Sequence, residues 1–356
     1  MERRPQIDIL RAFAILGVIL IHIVGVSLYV YPKGSTAASL LITIDQLSRF
    51  CVPLFVAISG YTLVAKYQTK KLELAAFYKR RVARIIPTYL LATLIIYLYL
   101  NFVSPWSQIK NPYPLWQIFL IGRADYHLYF IPMILQLYLL FPAFLYLLKK
   151  SKVKTIVLAA AIQIITFASA FLASQKLLTL PFPWGDQQQY LFFGSWVFYF
   201  VLGMLLANQN RINRVVKIVV LVTLVLGFPL VLFQTISQIS AGADVISQTR
   251  FTRFSIFLLA TALILICNFY GENLLKLPKI AVKILTKIGA LSFSIYLVHT
   301  IAIRIMLLNI DVYPISSLLL FSIGSLIASL IFAWIFEEAL TLTKKSVQAL
   351  LPDKDL

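Results

Sequence analysis

Acidic side chains are scarce: 13 Asp and Glu stand against 32 Lys and Arg in 356 residues. By the spans read below, none lies deep in an apolar segment, since Asp8, Asp45, Asp311, Glu337 and Glu338 all fall near edges. Ion-coupled transporters usually place a carboxylate or an unwound Gly/Pro pair at the midplane, so this scarcity argues against that class. Cysteine is limited to Cys51 and Cys267. Both lie in apolar runs without metal-ligand spacing, which excludes a disulfide framework and a zinc site and leaves packing as their role. No repeat with a period of about 20 to 50 residues and no low-complexity tract is present, which argues against solenoids and Pro- or Gly-rich linkers. Polar stretches long enough for a soluble domain are missing as well.

What fills the chain is apolar sequence, 60% of all residues, with a mean hydropathy of +0.88. Runs of about 20 apolar residues, the length that crosses the hydrocarbon core, recur from end to end. The expected fold is an all-α polytopic transmembrane bundle of ten spans, at residues 9–30, 44–65, 84–102, 128–148, 153–173, 190–207, 216–236, 252–270, 289–309 and 314–336. They form one membrane domain over residues 1–340, with a short tail at 341–356.

A net charge of +19 invites a nucleic-acid partner. The basic residues instead sort by loop. With both termini in the cytoplasm, the inside segments carry 23 Lys and Arg and the outside loops six: Lys33, Lys110, Arg123, Lys176, Arg250 and Arg253. That asymmetry follows the positive-inside rule, so the charge has a topological explanation and no nucleic acid is expected. It places the clusters Lys66 to Arg84, Lys149 to Lys154 and Lys276 to Lys287 in the cytoplasm. Arg3-Arg4 precedes an apolar run too long for a signal-peptide core and without a small-residue cleavage site, so the run is expected to stay as the first span. The expected location is a membrane, which the chain crosses several times.

Three histidines, His22, His127 and His299, all fall in or at the rim of apolar segments. Burying an ionisable group in a membrane is costly, and imidazole exchanges protons near neutral pH, so each is a functional candidate. A polar group satisfied by a neighbouring helix is the alternative for each. Arg11 and His22 share the first span eleven residues apart, three turns plus about 20°, which sets them on one face roughly 16 Å apart. Asp8, one turn before Arg11, can pair with it.

Phe77-Tyr-Lys-Arg80-Arg81-Val-Ala-Arg84 leads into the third span. Arg81 and Arg84 are i, i+3 neighbours whose guanidinium forks can grip a phosphate bidentately, although positive-inside charge alone would also put arginines there. In the ninth span, Ser292, Tyr296 and His299 form one polar stripe that must face protein or water, as either an interhelical hydrogen-bond seam or a catalytic face. His127 opens the fourth span in Tyr126-His-Leu-Tyr-Phe-Ile-Pro132 at the outer interface, where it either meets an external ligand or is simply wetted. Ser59-Gly60-Tyr61 lacks the upstream glycine of a nucleophile elbow and reads as a close-packing or helix-breaking site.

These segments together resemble the membrane acyltransferase-3 family of bacterial O-acyltransferases. Ile7-Asp8-Ile-Leu-Arg11-Ala-Phe-Ala-Ile is similar to the family's Leu-Asp-x-Leu-Arg-Gly-Ile-Ala, with His22 at its R-x10-H spacing. Val52-Pro-Leu-Phe-Val-Ala-Ile-Ser-Gly-Tyr61 resembles its Phe-Phe-x-x-Ser-Gly, and Arg81-Val-Ala-Arg84 its R-x-x-R. His127-Leu-Tyr-Phe-Ile-Pro132 resembles its His-Leu-Trp-Phe-Leu-Pro, and Leu291-Ser-Phe-Ser-Ile-Tyr-Leu-Val-His299 its Ser-x-x-Ile-Tyr-Leu-x-His. Ala12, Val56 and Tyr129 depart from the family's usual Gly, Phe and Trp, changes that touch packing more than chemistry.

The resemblance implies transfer of an acyl group, with acetyl expected, from cytoplasmic acyl-CoA to a hydroxyl of a surface glycan, exopolysaccharide or lipid-linked sugar, without a metal. Arg81, Arg84 and Arg80 would hold the nucleotide phosphates. The pantetheine arm would pass Arg11 toward His22 as general base, with His299 and Tyr296 orienting the acceptor or polarising the thioester, and His127 and Ser292 contacting the acceptor. The rival is a lipid or polysaccharide exporter, whose polar stripes line a conduit and whose arginines bind an anionic headgroup. Release of CoA separates the two.

Overall fold

In the computed structural model the described residues are 4–67, 71–104, 111–174, 177, 189–209, 213–240 and 251–350, and among them every regular element is helical. Lys110, Lys176 and Arg250, three of the six expected outside cations, lie beyond the described residues, as does the end of the tail at 351–356.

Helix α1 spans Pro5–Ser27, with proline in its first turn, where its missing N–H costs nothing, and Asp8 complementing the helix dipole. Helix α2 (Thr36–Ser48) is capped by Ser35, whose side chain accepts from the Ala38 amide at 3.2 Å, and α3 (Cys51–Tyr67) carries it on as one span of 32 residues. Helix α4 (Leu74–Leu98) runs through Pro87 into a π-turn at Tyr99–Val103. Then follow α5 (Leu115–Ile121), α6 (Phe130–Lys150), α7 (Lys152–Ser174), α8 (Val197–Leu206), α9 (Arg214–Ser240), α10 (Phe254–Tyr270), α11 (Lys279–Ala290), α12 (Ser292–Leu307) and α13 (Ile315–Leu350).

Among the described residues eight helical segments are long and apolar enough to cross a membrane, or nine where the pair α11 and α12, bent by 79° between them, counts as one span. Two of the ten expected segments differ locally from a single long helix. Segment 190–207 folds as two 3₁₀ turns and then α8, whose 10 residues rise only about 15 Å, half the hydrocarbon thickness. It is a buried plug: Trp196, Tyr199 and Phe200 are among the largest fully enclosed side chains. Segment 289–309 begins at a bend, because Gly289 lies against the Asp8 carbonyl of α1, where a Cβ would come within 1.8 Å. The lysine-bearing α11 therefore crosses the start of α1 instead of extending α12.

Asp45, expected near the edge of a span beginning at residue 44, lies further along its helical segment. The second span starts at the Ser35 cap, well before residue 44, so Asp45 sits inside it, fully buried. Its carboxylate receives Nε and Nη2 of Arg49, each at 2.8 Å, and the Gln46 amide at 2.8 Å. A paired, saturated charge of this kind is a structural contact in α2.

Side-chain contacts define two ends of the bundle. At one, Arg4 donates to the Tyr61 hydroxyl at 2.7 Å and Arg80 to that of Tyr67 at 3.2 Å. At the other, Tyr31 donates to the Val312 carbonyl at 3.0 Å. Between them α9 exposes Val215, Leu221, Val225, Leu226, Phe233 and Ile236, each more than half accessible, an apolar surface that water does not tolerate and lipid does. Gly60 lies on the Phe200 carbonyl and Gly203 on that of Ala57, so Ser59-Gly60 is a close-packing site between α3 and α8.

Candidate active site

The three histidines come together at the end of the bundle away from Arg4. His22 lies about 26 Å along α1 by helical rise. Its ring centroid is 5.0 Å from that of His299 and 6.3 Å from that of His127, and the latter two are 4.9 Å apart. Three segments separated by more than a hundred residues thus supply one imidazole each. Among the described residues no group of three His, Cys, Asp or Glu side chains has the geometry of a metal site.

Each ring is held differently. His22 projects from the regular α1 helix and is half-buried, packed against the Tyr126 ring at 5.0 Å. His299, fully buried on α12, sets Nδ1 2.8 Å from the Tyr296 carbonyl and 3.2 Å from that of Ile295. A carbonyl only accepts, so Nδ1 carries the proton of the neutral ring and Nε2, enclosed without a partner, keeps its lone pair.

His127 is placed by a loop. Helix α5 ends at Gly122, whose φ of +80° is left-handed and whose Cβ, if present, would stand 2.7 Å from the backbone C and O of Leu128. The chain can thus fold back tightly and present Asp125, Tyr126 and His127 inward. The Tyr296 hydroxyl donates to the His127 carbonyl and pins the loop to α12.

Beneath the cluster lies an ion pair. Arg304 Nη1 and Nη2 reach the two carboxylate oxygens of Asp125 at 2.6 and 2.8 Å, and the Tyr126 amide donates to Asp125 Oδ1 at 2.9 Å. Asp125 Oδ2 is 3.4 Å from His127 Nδ1, while both His127 nitrogens lack a formed hydrogen bond. Burial alone would raise the Asp125 pKa, but Arg304 outweighs it and holds the carboxyl well below its ordinary range. The carboxylate is therefore charged, facing an imidazole across a gap that a small shift closes.

Among the residues expected in the site, His22, His127, His299 and Tyr296 converge. Tyr296 has its hydroxyl engaged with His127, so it positions that loop. Ser292 is buried at the α11–α12 bend, about 10 Å down the helix from His299, apart from His127. Arg11 is bound to Asp8 at 3.0 Å and stays about 16 Å from His22. Arg80, Arg81 and Arg84 lie on the first turns of α4. Arg81 packs over the rings of Phe77 and Tyr138, at 5.7 and 5.5 Å, with a buried and unpartnered Nε, whereas Arg80 and Arg84 are exposed.

Asp125 and Arg304 were missed by the sequence reading, although signals existed. Arg304 is a cation inside a predicted span, which demands a partner, and Asp125 stands two residues before a candidate histidine.

A family model described as an acyltransferase domain matches residues 4–338, which include all three histidines and Asp125. A Bacillus subtilis (strain 168) protein with the provisional name membrane-bound acyltransferase YfiQ is 27% identical over 326 residues, covering 87% of this chain and 84% of its own. No solved structure matches the chain. A match over nearly the whole length, joined to a helical membrane bundle that gathers the motif residues, means that this chain belongs to the acyltransferase-3 family of membrane acyltransferases.

Proposed function

We propose that the protein transfers an acyl group, acetyl in the simplest case, from acyl-CoA to a hydroxyl of a surface glycan, exopolysaccharide or lipid-linked sugar. The observation that carries this reading is the gathering of His22, His127 and His299 within ring-contact distance, with buried, unbonded Nε2 atoms on two of them. In the transfer, an imidazole Nε2 takes the acceptor hydroxyl proton as the oxygen attacks the thioester carbonyl carbon. Collapse of the tetrahedral adduct breaks the C–S bond, and the thiolate recovers the proton as CoA-SH. Such general-base help supplies about 10² to 10⁴ in rate.

The donor is assigned to the opposite end of the bundle, where basic residues gather. By the positive-inside rule that end faces the cytoplasm of a bacterial plasma membrane, with both termini there. Arg81, with Arg80 and Arg84 beside it, holds the phosphates, and the pantetheine arm threads past Arg11 toward His22. This divides donor and acceptor between the two faces of the membrane. Mass spectrometry of surface glycans from cells with and without the protein tests the reading: acyl esters on a glycan hydroxyl should vanish in its absence. An unchanged acylation pattern, or loss of the glycan itself from the surface, would instead favour export.

A further inference from the structure

We infer that Asp125 is a positioning residue for the transfer, holding His127 through Nδ1 so that His127, and not His22 alone, serves the cluster as a general base. The inference rests on the acyl-transfer reading and extends it to two residues outside the motifs.

The loop Ala124–Tyr129 is fixed at both ends. Gly122 turns it back against Leu128, and Tyr296 grips it through the His127 carbonyl. Within it the Asp125 carboxylate is immobilised by three donors, two from Arg304 and one from the Tyr126 amide. Arg304 needs only one anion, and a lone ion pair could be placed anywhere along α12. Here it is placed so that Asp125 Oδ2 stands 3.4 Å from His127 Nδ1, with the aspartate almost fully buried.

A carboxylate accepts only, so closing this 3.4 Å gap puts the neutral ring's proton on Nδ1 and leaves the lone pair on Nε2. When Nε2 accepts the acceptor's proton, the imidazolium formed is stabilised by a fixed anion at Nδ1. His299 lacks such a partner, since its Nδ1 faces neutral carbonyls. Among the described contacts His22 has ring neighbours and no carboxylate bound to it. Only His127 combines a free Nε2 with a charged orienting group.

The test uses membranes carrying the full chain, supplied with [14C]acetyl-CoA, with label in the glycan fraction read against donor concentration. Asp125→Asn should lower kcat about 10²-fold or more and leave the apparent KM for acetyl-CoA within about twofold, because the donor phosphates are held at the far end. The double variant Asp125→Asn with Arg304→Gln replaces the ion pair by two neutral amides and so removes the unpaired arginine. If Asp125 positions His127, the double variant stays as slow as the single one; recovery to near the wild-type kcat would reduce Asp125 to a counter-ion and overturn the inference. Asp125→Glu keeps the charge and the ion pair and decides the matter if the others fold poorly. Its longer side chain should cut kcat at unchanged KM, and full kcat would overturn the inference. Absence of label transfer by the wild-type chain would overturn the acyl-transfer reading and this inference with it.

Discussion

Replacing Gly122 by alanine perturbs the site without touching any reacting group. At φ +80° an alanine is strained by about 1 to 3 kcal/mol. Its Cβ would stand 2.7 Å from Leu128 C and O, so the backbone must retreat by about 0.7 Å to reach ordinary contact at 3.4 Å. Leu128 is bonded to His127, and the retreat therefore moves the imidazole. A displacement near 1 Å in a preorganised site costs on the order of 10²-fold, so kcat for acyl transfer should fall between tenfold and 10²-fold while the apparent KM for acetyl-CoA holds. Gly25→Ala is the control. Gly25 is three residues from His22, yet nothing lies within 4 Å of its would-be Cβ, and transfer should stay at the wild-type rate. The assay is incorporation of label from [14C]acetyl-CoA in membranes, normalised to folded protein by thermal unfolding in detergent. Full-rate transfer by Gly122→Ala would refute the claim that this turn sets the position of His127.

Three further outcomes are expected. Arg81→Lys keeps the charge but loses the planar fork, so acyl-CoA binding measured by calorimetry should weaken; unchanged affinity in both Arg81→Lys and Arg84→Ala would leave these residues with a topological role alone. Single-cysteine labelling should find positions 71–79, 149–152 and 276–283 reachable only from the cytoplasm, and labelling from outside intact cells would reject the orientation. Transfer should slow on acidification, because a protonated imidazole has no lone pair to accept the acceptor's proton, and a rate that rises as pH falls would contradict a histidine base.

The sequence made the helices legible wherever a span was long, apolar and lipid-facing. It misjudged the places where protein packs on protein. The segment at 190–207 is as apolar as its neighbours, but its partners are α3 and α7 instead of lipid, and Gly203 and Gly60 let it sink against α3 as a short plug. The bend before Ser292 depends on one close approach between Gly289 and Asp8, a contact across nearly the whole chain that no local pattern records. In the site, spacing within one helix found Arg11, His22, Tyr296 and His299, but it could not say that the histidines of two helices and one loop meet while Arg11 and Ser292 stay apart. Asp125 was hidden for a related reason. It lies in a loop outside every span, and its meaning comes from Arg304, 179 residues later.

Whether the three-histidine cluster carries out acyl transfer is decided by comparing the wild-type chain with His22→Ala, His127→Ala and His299→Ala, reading [14C]acetyl transfer from acetyl-CoA to the surface-glycan fraction alongside acetyl-CoA binding. A catalytic cluster should give label transfer by the wild-type chain, losses of about 10²-fold or more for His22→Ala and His127→Ala, a smaller loss for His299→Ala, and donor binding retained in all three. Wild-type transfer that survives in well-folded His22→Ala and His127→Ala proteins would move the chemistry away from the cluster.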